Sequence, residues 1–187
     1  MPPKVTFESK FPITEFITDL NGEDNYKLLE NLSDLLGSET KILKDINDAF
    51  HICISKGFCK CIQSLLMHGA SLHALVKIHE LHNISIGSSH LVSIDDEISP
   101  LHLACLCERE NVIELLLGVT GIEQTLTSVT RQSALIIISS ISTWSNLRFV
   151  DVLLRKWPEA INNRDYLGKT ALMHAIETGK VKIYIDV

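Results

Sequence analysis

Aromatic residues make up only 6% of the 187 positions, and there are just five prolines and nine glycines. Such scarcity excludes collagen-like and proline-rich chains. Long apolar runs are also missing. The longest purely aliphatic stretch, Ala134-Leu135-Ile136-Ile137-Ile138, falls far short of the roughly 18 residues a bilayer span requires. The N-terminus, MPPKVTFESKFPITEF, lacks the apolar centre of a secretory signal. Basic residues are in deficit: the net charge is −6, and residues 1–50 carry ten Asp/Glu against five Lys/Arg. Without a basic stripe to neutralise phosphates, nucleic acid is not an expected partner. The five cysteines are an odd number without a signal sequence, which points to reduced thiols rather than a disulfide framework. What is present is ordinary for a folded domain: 45% apolar and 21% charged residues. The expectation is a soluble, intracellular, cytoplasmic or nuclear protein with no membrane span.

The chain repeats itself. Four segments share one layout: a small or polar residue, then an apolar residue, then a small residue, and later a paired aliphatic. They are Asp48-Ala49-Phe50-His51-Ile52-Cys53, Ser99-Pro100-Leu101-His102-Leu103-Ala104, Ser133-Ala134-Leu135-Ile136-Ile137-Ile138 and Thr170-Ala171-Leu172-Met173-His174-Ala175. Leu65-Leu66, Leu116-Leu117 and Leu153-Leu154 supply the paired aliphatics of the first three. Ser99 is a good helix N-cap, and Pro100 stands at the first helical position, where its missing N–H costs nothing. Ser133, Thr170 and Asp48 are read as caps of the same kind. A second helix follows each opening one, with apolar residues at helical spacing, as in Val112, Ile113, Leu116 and Leu117. Gly57 and Gly179 mark breaks between helices, since glycine supplies positive φ at a helix end. One such hairpin cannot bury its own apolar face, but stacked neighbours can.

These motifs resemble the ankyrin repeat. Ser99-Pro100-Leu101-His102-Leu103-Ala104 is nearly that family's opening motif. Leu65-Leu66-Met67-His68-Gly69-Ala70-Ser71 looks like its exit from helix two. Asp165-Tyr166-Leu167-Gly168-Lys169-Thr170-Ala171-Leu172 looks like its hairpin leading into the next helix. The resemblance covers roughly residues 46–187. It implies an all-α ankyrin-repeat solenoid of stacked helix-turn-helix units with connecting hairpins, in four segments: 46–73, 97–122, 131–161 and 168–187, the last truncated. The copies are degenerate. Their caps stand 51, 34 and 37 residues apart, against a family period of about 33. The third has Ile136 and the fourth Met173 in place of histidine, and the second has Glu108 where glycine is usual.

Two stretches stand outside the pattern. Residues 1–45 include an amphipathic run, Tyr26, Leu28, Leu29, Leu32, Leu35 and Leu36, ended by Gly37. It reads as an acidic helical cap over the first repeat, or else as an independent acidic interaction segment. The long first interval places an insertion at 74–96, read as an elongated hairpin or loop projecting from the stack. The C-terminus stops where helix two of the fourth repeat should begin, so a fragment of a larger protein is expected.

Candidate chemistry is thin. His79, His82 and His90 crowd the insertion, and the Cys59/Cys61 and Cys105/Cys107 pairs tempt a metal reading. Residues two apart on a helix, however, point about 200° from one another and cannot clamp one ion. Cys53 and Cys61 read as small buried hydrophobes. The resemblance makes His51 and His102 structural, tying a helix start to nearby backbone. No activated nucleophile and no glycine-rich phosphate loop can be assembled. The expectation is therefore no enzyme, no cofactor and no metal, but a protein-binding module or adaptor with a concave surface. A metal- or redox-responsive module is the alternative. In the family, variable contacts sit at the hairpin tip and near the end of helix one. Those positions correspond here to Asp95, Asp96, Ile98, Leu106 and Cys107, to Gln132, Ser140 and Ile141, and to Tyr166, Lys169, Glu177 and Thr178.

Overall fold

A computed structural model describes residues 39–81, 92–141 and 147–179. By compactness the chain divides into two units, Met1–Ser71 and Leu72–Val187. Residues 1–38 of the cap expected over 1–45, the insertion tip and the last eight residues lie outside the described residues.

The described part of the first unit is a pair of packed helices, α1 (Glu39–Lys56) and α2 (Cys59–Met67). Along α1 the apolar residues described as buried are Ile46, Ala49, Phe50, Cys53 and Ile54. This i, i+3, i+4, i+7, i+8 spacing makes a single apolar stripe. Phe58, Cys61, Ile62 and Leu65 are buried along α2. The turn between the helices closes on Gly57, whose φ is +83°. There the Phe58 N–H reaches the Cys53 carbonyl at 3.0 Å and the Gly57 N–H the Ile54 carbonyl at 3.1 Å. These two bonds form a Schellman cap, which needs the left-handed conformation that glycine adopts freely. Asn47 Oδ1 then accepts the Ser71 N–H at 2.9 Å and ties the end of the unit back to α1.

Asp48 is not a cap. It lies in the middle of α1, and so does His51. No Gly or Pro interrupts Glu39–Lys56, so nothing stops the helix that would have to end before Asp48 could start another. The expected boundary at residue 45/46 therefore falls inside a continuous helix.

The second unit opens with a two-stranded antiparallel ribbon, β1 (Val76–Lys77) and β2 (Glu97–Ile98), in which Val76 pairs with Ile98 and Lys77 with Glu97. The Ile78 and His79 amides extend the pairing to the Asp96 and Ile94 carbonyls, each at 3.1 Å. A 3-10 turn, Ile78–Glu80, begins within that extension. The two ends of the 74–96 segment thus run back to back as the stem of a hairpin.

Among the described residues five helices follow: α3 (Pro100–Leu106), α4 (Glu110–Gly118), α5 (Ala134–Ser140), α6 (Leu147–Lys156) and α7 (Ala171–Glu177), with a 3-10 turn at Pro158–Asn162. The helices α3, α5 and α7 have seven residues each, too short to persist alone in water. They are held by caps and by one another. Ser99, Ser133 and Thr170 accept hydrogen bonds from the amides three residues on, an interaction worth about 1 kcal/mol per cap. α3 packs on α5, and α5 on α7. α4 packs behind α3 with Val112, Ile113, Leu116 and Leu117 buried, and α6 packs behind α5 with Phe149, Val150 and Leu153 buried. Thr178 Oγ1 donates to the Ser139 carbonyl at 3.2 Å, and Lys156 Nζ to the Leu117 carbonyl at 2.9 Å, so polar bonds cross between successive pairs. This is the all-α repeat architecture expected from the sequence.

Candidate protein-binding surface

Successive hairpins of the second unit are joined edge to edge. Asp96 is fully buried. Its Oδ1 accepts the Val129 and Thr130 amides at 2.6 and 2.9 Å, while its Oδ2 accepts the Thr130 hydroxyl at 2.7 Å and the Ser93 amide at 2.8 Å. Burial by itself disfavours the carboxylate. The donors from Thr130, Val129 and Ser93 together outweigh it and hold the pKa below the ordinary aspartate value. Alongside, the Glu97 amide donates to Ser128 Oγ at 2.8 Å and the Ser128 amide to the Glu97 carbonyl at 3.3 Å. The Tyr166 amide then donates to the Thr130 carbonyl at 3.0 Å, which brings the third hairpin against the second.

That third hairpin is built around Asp165. Its Oδ1 accepts the Leu167 and Lys169 amides at 2.9 and 2.8 Å, and its Oδ2 meets His174 Nε2 at 2.8 Å. Gly168 closes the turn at φ +77°. Two residues before the cap in the preceding hairpin stands Arg131, which takes the same left-handed conformation at φ +54°.

His102 belongs to a helix cap. Its Nδ1 accepts the Ser99 amide at 3.3 Å and lies 3.0 Å from Ser99 Oγ, to which Thr125 Oγ1 donates at 3.2 Å. Burial drives its pKa down to about 4, against smaller opposing effects from the Thr125 backbone, Asp96 and the Gln132 backbone. The ring is therefore neutral at pH 7 and serves as the reciprocal acceptor of a capping box.

With the backbone fixed in this way, the side chains at the hairpin tips divide. Asp95 and Tyr166, four residues before their caps, are exposed, and so is Val129 at the same offset from Ser133. Ile94 and Leu167 flank them. Ile94, Val129, Tyr166 and Leu167 are 68, 50, 61 and 59% exposed, a row of large apolar groups across three hydrogen-bonded tips. Arg131 is exposed among them. Lys169 and Glu177 bond each other at 2.6 Å beside the third tip, and Thr178 is half-buried at the end of α7.

Seven of the residues expected to make contacts do not reach the surface. Asp96 is turned inward by the amides it accepts. Ile98 lies in β2 with no exposure, and Leu106 and Cys107 are buried at the end of α3. Gln132 is buried, and its backbone N–H donates to Thr127 Oγ1 at 2.9 Å. Ser140 donates its hydroxyl to the Ile136 carbonyl at 2.7 Å, and Ile141 is buried beside it. The ends of α3 and α5 are therefore core, and the accessible positions are at the tips. Val129, Ile94 and Leu167 were missed. For Val129 the signal was in the sequence, because it stands at the same cap offset as Asp95 and Tyr166.

No disulfide links the five cysteines. Burial raises the Cys105 thiol far above the ordinary range. It raises Cys107 to about 11, with Arg109 opposing and Glu108 adding to the rise. Neither is a ready thiolate. Among the described residues no three His, Cys, Asp or Glu side chains converge as metal ligands. His79 lies 3.2 Å from the Ile94 carbonyl, whereas His82 and His90 lie outside the described residues. Among those residues no helix is long and apolar enough to cross a membrane.

Residues 96–124 match the model of the ankyrin repeat. This stretch runs from Asp96 through the capped α3 and α4. No curated protein matches the chain.

Proposed function

We propose that the chain, whose residues 96–124 match the ankyrin repeat, is an ankyrin-repeat protein that binds another protein through the row of hairpin tips in its second unit. Ankyrin repeats generally mediate protein–protein interaction. The observation that carries the reading to these residues is the exposure of Ile94, Val129, Tyr166 and Leu167 on tips joined by backbone hydrogen bonds. Apolar groups on a preorganised edge bind with little ordering cost. Covering one such side chain contributes about 1.5–3 kcal/mol, so a few anchors suffice for affinity. Tyr166 is the central anchor, an aromatic whose hydroxyl tolerates a wet rim. Asp95, Arg131, Lys169, Glu177 and Thr178 form the polar surround that sets orientation. The role is that of a non-enzymatic adaptor in an intracellular compartment.

A photo-crosslinking amino acid placed at Val129, at Tyr166 and, as a control, at Arg155 on α6 tests the reading in cells. The same partner should be captured from the two tip positions and not from the control. Equal capture at all three, or different proteins from the two tips, would defeat it.

A further inference from the structure

The second and third hairpins differ at the residue two before the cap. In the third it is Gly168 and in the second it is Arg131, both in left-handed backbone, at φ +77° and +54°. Glycine takes that conformation freely, whereas a side chain there is strained. The fold gives the Arg131 side chain no compensating contact. It is exposed, and among the described residues no carboxylate pairs with it. Strain of this kind collects where a ligand is held. The third hairpin brings a guanidinium to the same corner by another route: Arg164 Nη1 donates to the Gly168 carbonyl at 2.7 Å. That bond to a neutral oxygen leaves its charge uncompensated. The two hairpins are joined by the bond from the Tyr166 amide to the Thr130 carbonyl, so adjacent tips carry a guanidinium at equivalent corners.

The chain as a whole carries a net charge of −6. Residues 125–132 and 163–169 nevertheless contain a single acidic side chain, Asp165, and it is buried against the Leu167 and Lys169 amides. Lys169 is already bonded to Glu177. Val129 stands two residues from Arg131 and Tyr166 two from Arg164, and both are exposed. We propose that the partner of the tip row presents an extended acidic segment, with apolar side chains on Val129 and Tyr166 and Asp or Glu carboxylates on Arg131 and Arg164. This rests on the tip-row reading and adds the partner's chemistry to it. The guanidinium fork matches a carboxylate, and such charge-assisted bonds are shorter and stronger than neutral ones. Packed helices stand about 8–10 Å apart, and α5 packs on α7, so the hairpins leading into them repeat at about that spacing. An extended chain rises about 3.3 Å per residue. Its apolar side chains therefore fall about three residues apart. A polyanion such as nucleic acid fits less well, because the neighbouring tip presents the exposed carboxylate of Asp95 and the apolar groups offer phosphates nothing.

Selection of phage-displayed random dodecapeptides on the immobilised 187-residue chain tests the proposal. The enriched peptides should carry Asp or Glu beside apolar residues about three positions apart. Selection on Arg131→Glu/Arg164→Glu should invert the charge and enrich Lys or Arg. Arg131→Gly removes one guanidinium and relieves the strained backbone. It should melt above the parent and yet bind the parent-selected peptides roughly fivefold more weakly, a combination that a merely structural role does not produce. Acidic peptides enriched equally on the parent and the reversed variant would overturn the proposal. So would neutral or basic peptides on the parent, unchanged affinity in Arg131→Gly, or an empty selection. Displacement of the selected peptides by a polyuridylate oligonucleotide at lower concentration than by free peptide would move the assignment to phosphate and overturn it too. Val129→Ser/Tyr166→Ser separates the two readings. Peptides that are not acidic but lose binding to this variant would leave the tip row standing and the acidic partner refuted. Peptides that bind this variant as they bind the parent would refute both.

Discussion

Asp96 Oδ2 accepts the Thr130 hydroxyl at 2.7 Å while its Oδ1 accepts the Thr130 amide at 2.9 Å, so one buried side chain clamps two hairpins that are 34 residues apart in sequence. The Val129 and Ser93 amides complete its shell. Asp96→Ala leaves these donors inside the fold without an acceptor. It should destabilise the second unit by roughly 2–4 kcal/mol, measured by denaturant unfolding. Asp96→Asn, which keeps one acceptor oxygen, should cost less. Equal losses would mean that the carboxylate charge contributes everything and its geometry nothing.

His102 makes stability depend on acid. Its folded pKa of about 4 lies below the ordinary 6.5, so the unfolded chain binds the proton more readily. Stability is therefore complete above pH 6.5 and declines as pH falls toward 4. The loss is on the order of 3 kcal/mol across that window. The lowered pKa of Asp96 adds a further loss at still lower pH. Unfolding curves of the parent and of His102→Gln between pH 7 and 4 should converge as pH drops. A constant gap would show that the ring does not take up its proton on unfolding.

Glu108 and Arg131 occupy left-handed backbone at φ +56° and +54°. A side chain there costs about 1–2 kcal/mol, and glycine returns part of this in unfolded-chain entropy. Glu108→Gly and Arg131→Gly should each raise stability by about 0.5–1 kcal/mol. Gly168→Ala should lower it by a similar amount. Beyond its two chain neighbours no heavy atom lies within 4 Å of an added Cβ at that position, so the cost there is conformational. A stabilising Gly168→Ala would contradict the turn geometry.

Leu116 has no exposure on α4, in the pair Leu116-Leu117 that recurs along the chain. Leu116→Ala should cost about 2–5 kcal/mol, the range for a buried leucine that leaves a cavity. Met67→Ala on α2, at a position 85% exposed, should fall within about 0.5 kcal/mol of the parent. The contrast between the two thermal midpoints is the measurement.

The caps Ser99, Ser133 and Thr170 were legible because an N-cap is a local event: a side-chain oxygen, an amide three residues on, and an apolar run after it. The positive φ at Gly57 and Gly179 was legible for the same reason. Asp48 looked alike and proved otherwise, since a cap also requires that no helix already be running through it. α1 starts at Glu39 and meets no breaker before Gly57. The role of His102 was foreseen, but the bond between His174 and Asp165 was not, since it joins a helix to the turn before it and follows no opening motif.

By itself the sequence determined which residues make short capped helices and where the chain turns between them, because propensity, capping and apolar spacing act within a few residues. It could not decide which tip residues face outward. Asp95 and Asp96 are chemically identical neighbours at the end of a turn that the Asp96 amide closes on the Ser93 carbonyl. Only the arrival of the Val129 and Thr130 amides from the next hairpin makes the inward side the one where a carboxylate is stabilised. That fixes Asp96 inside, Asp95 outside, and Val129 on the exposed edge beside Tyr166.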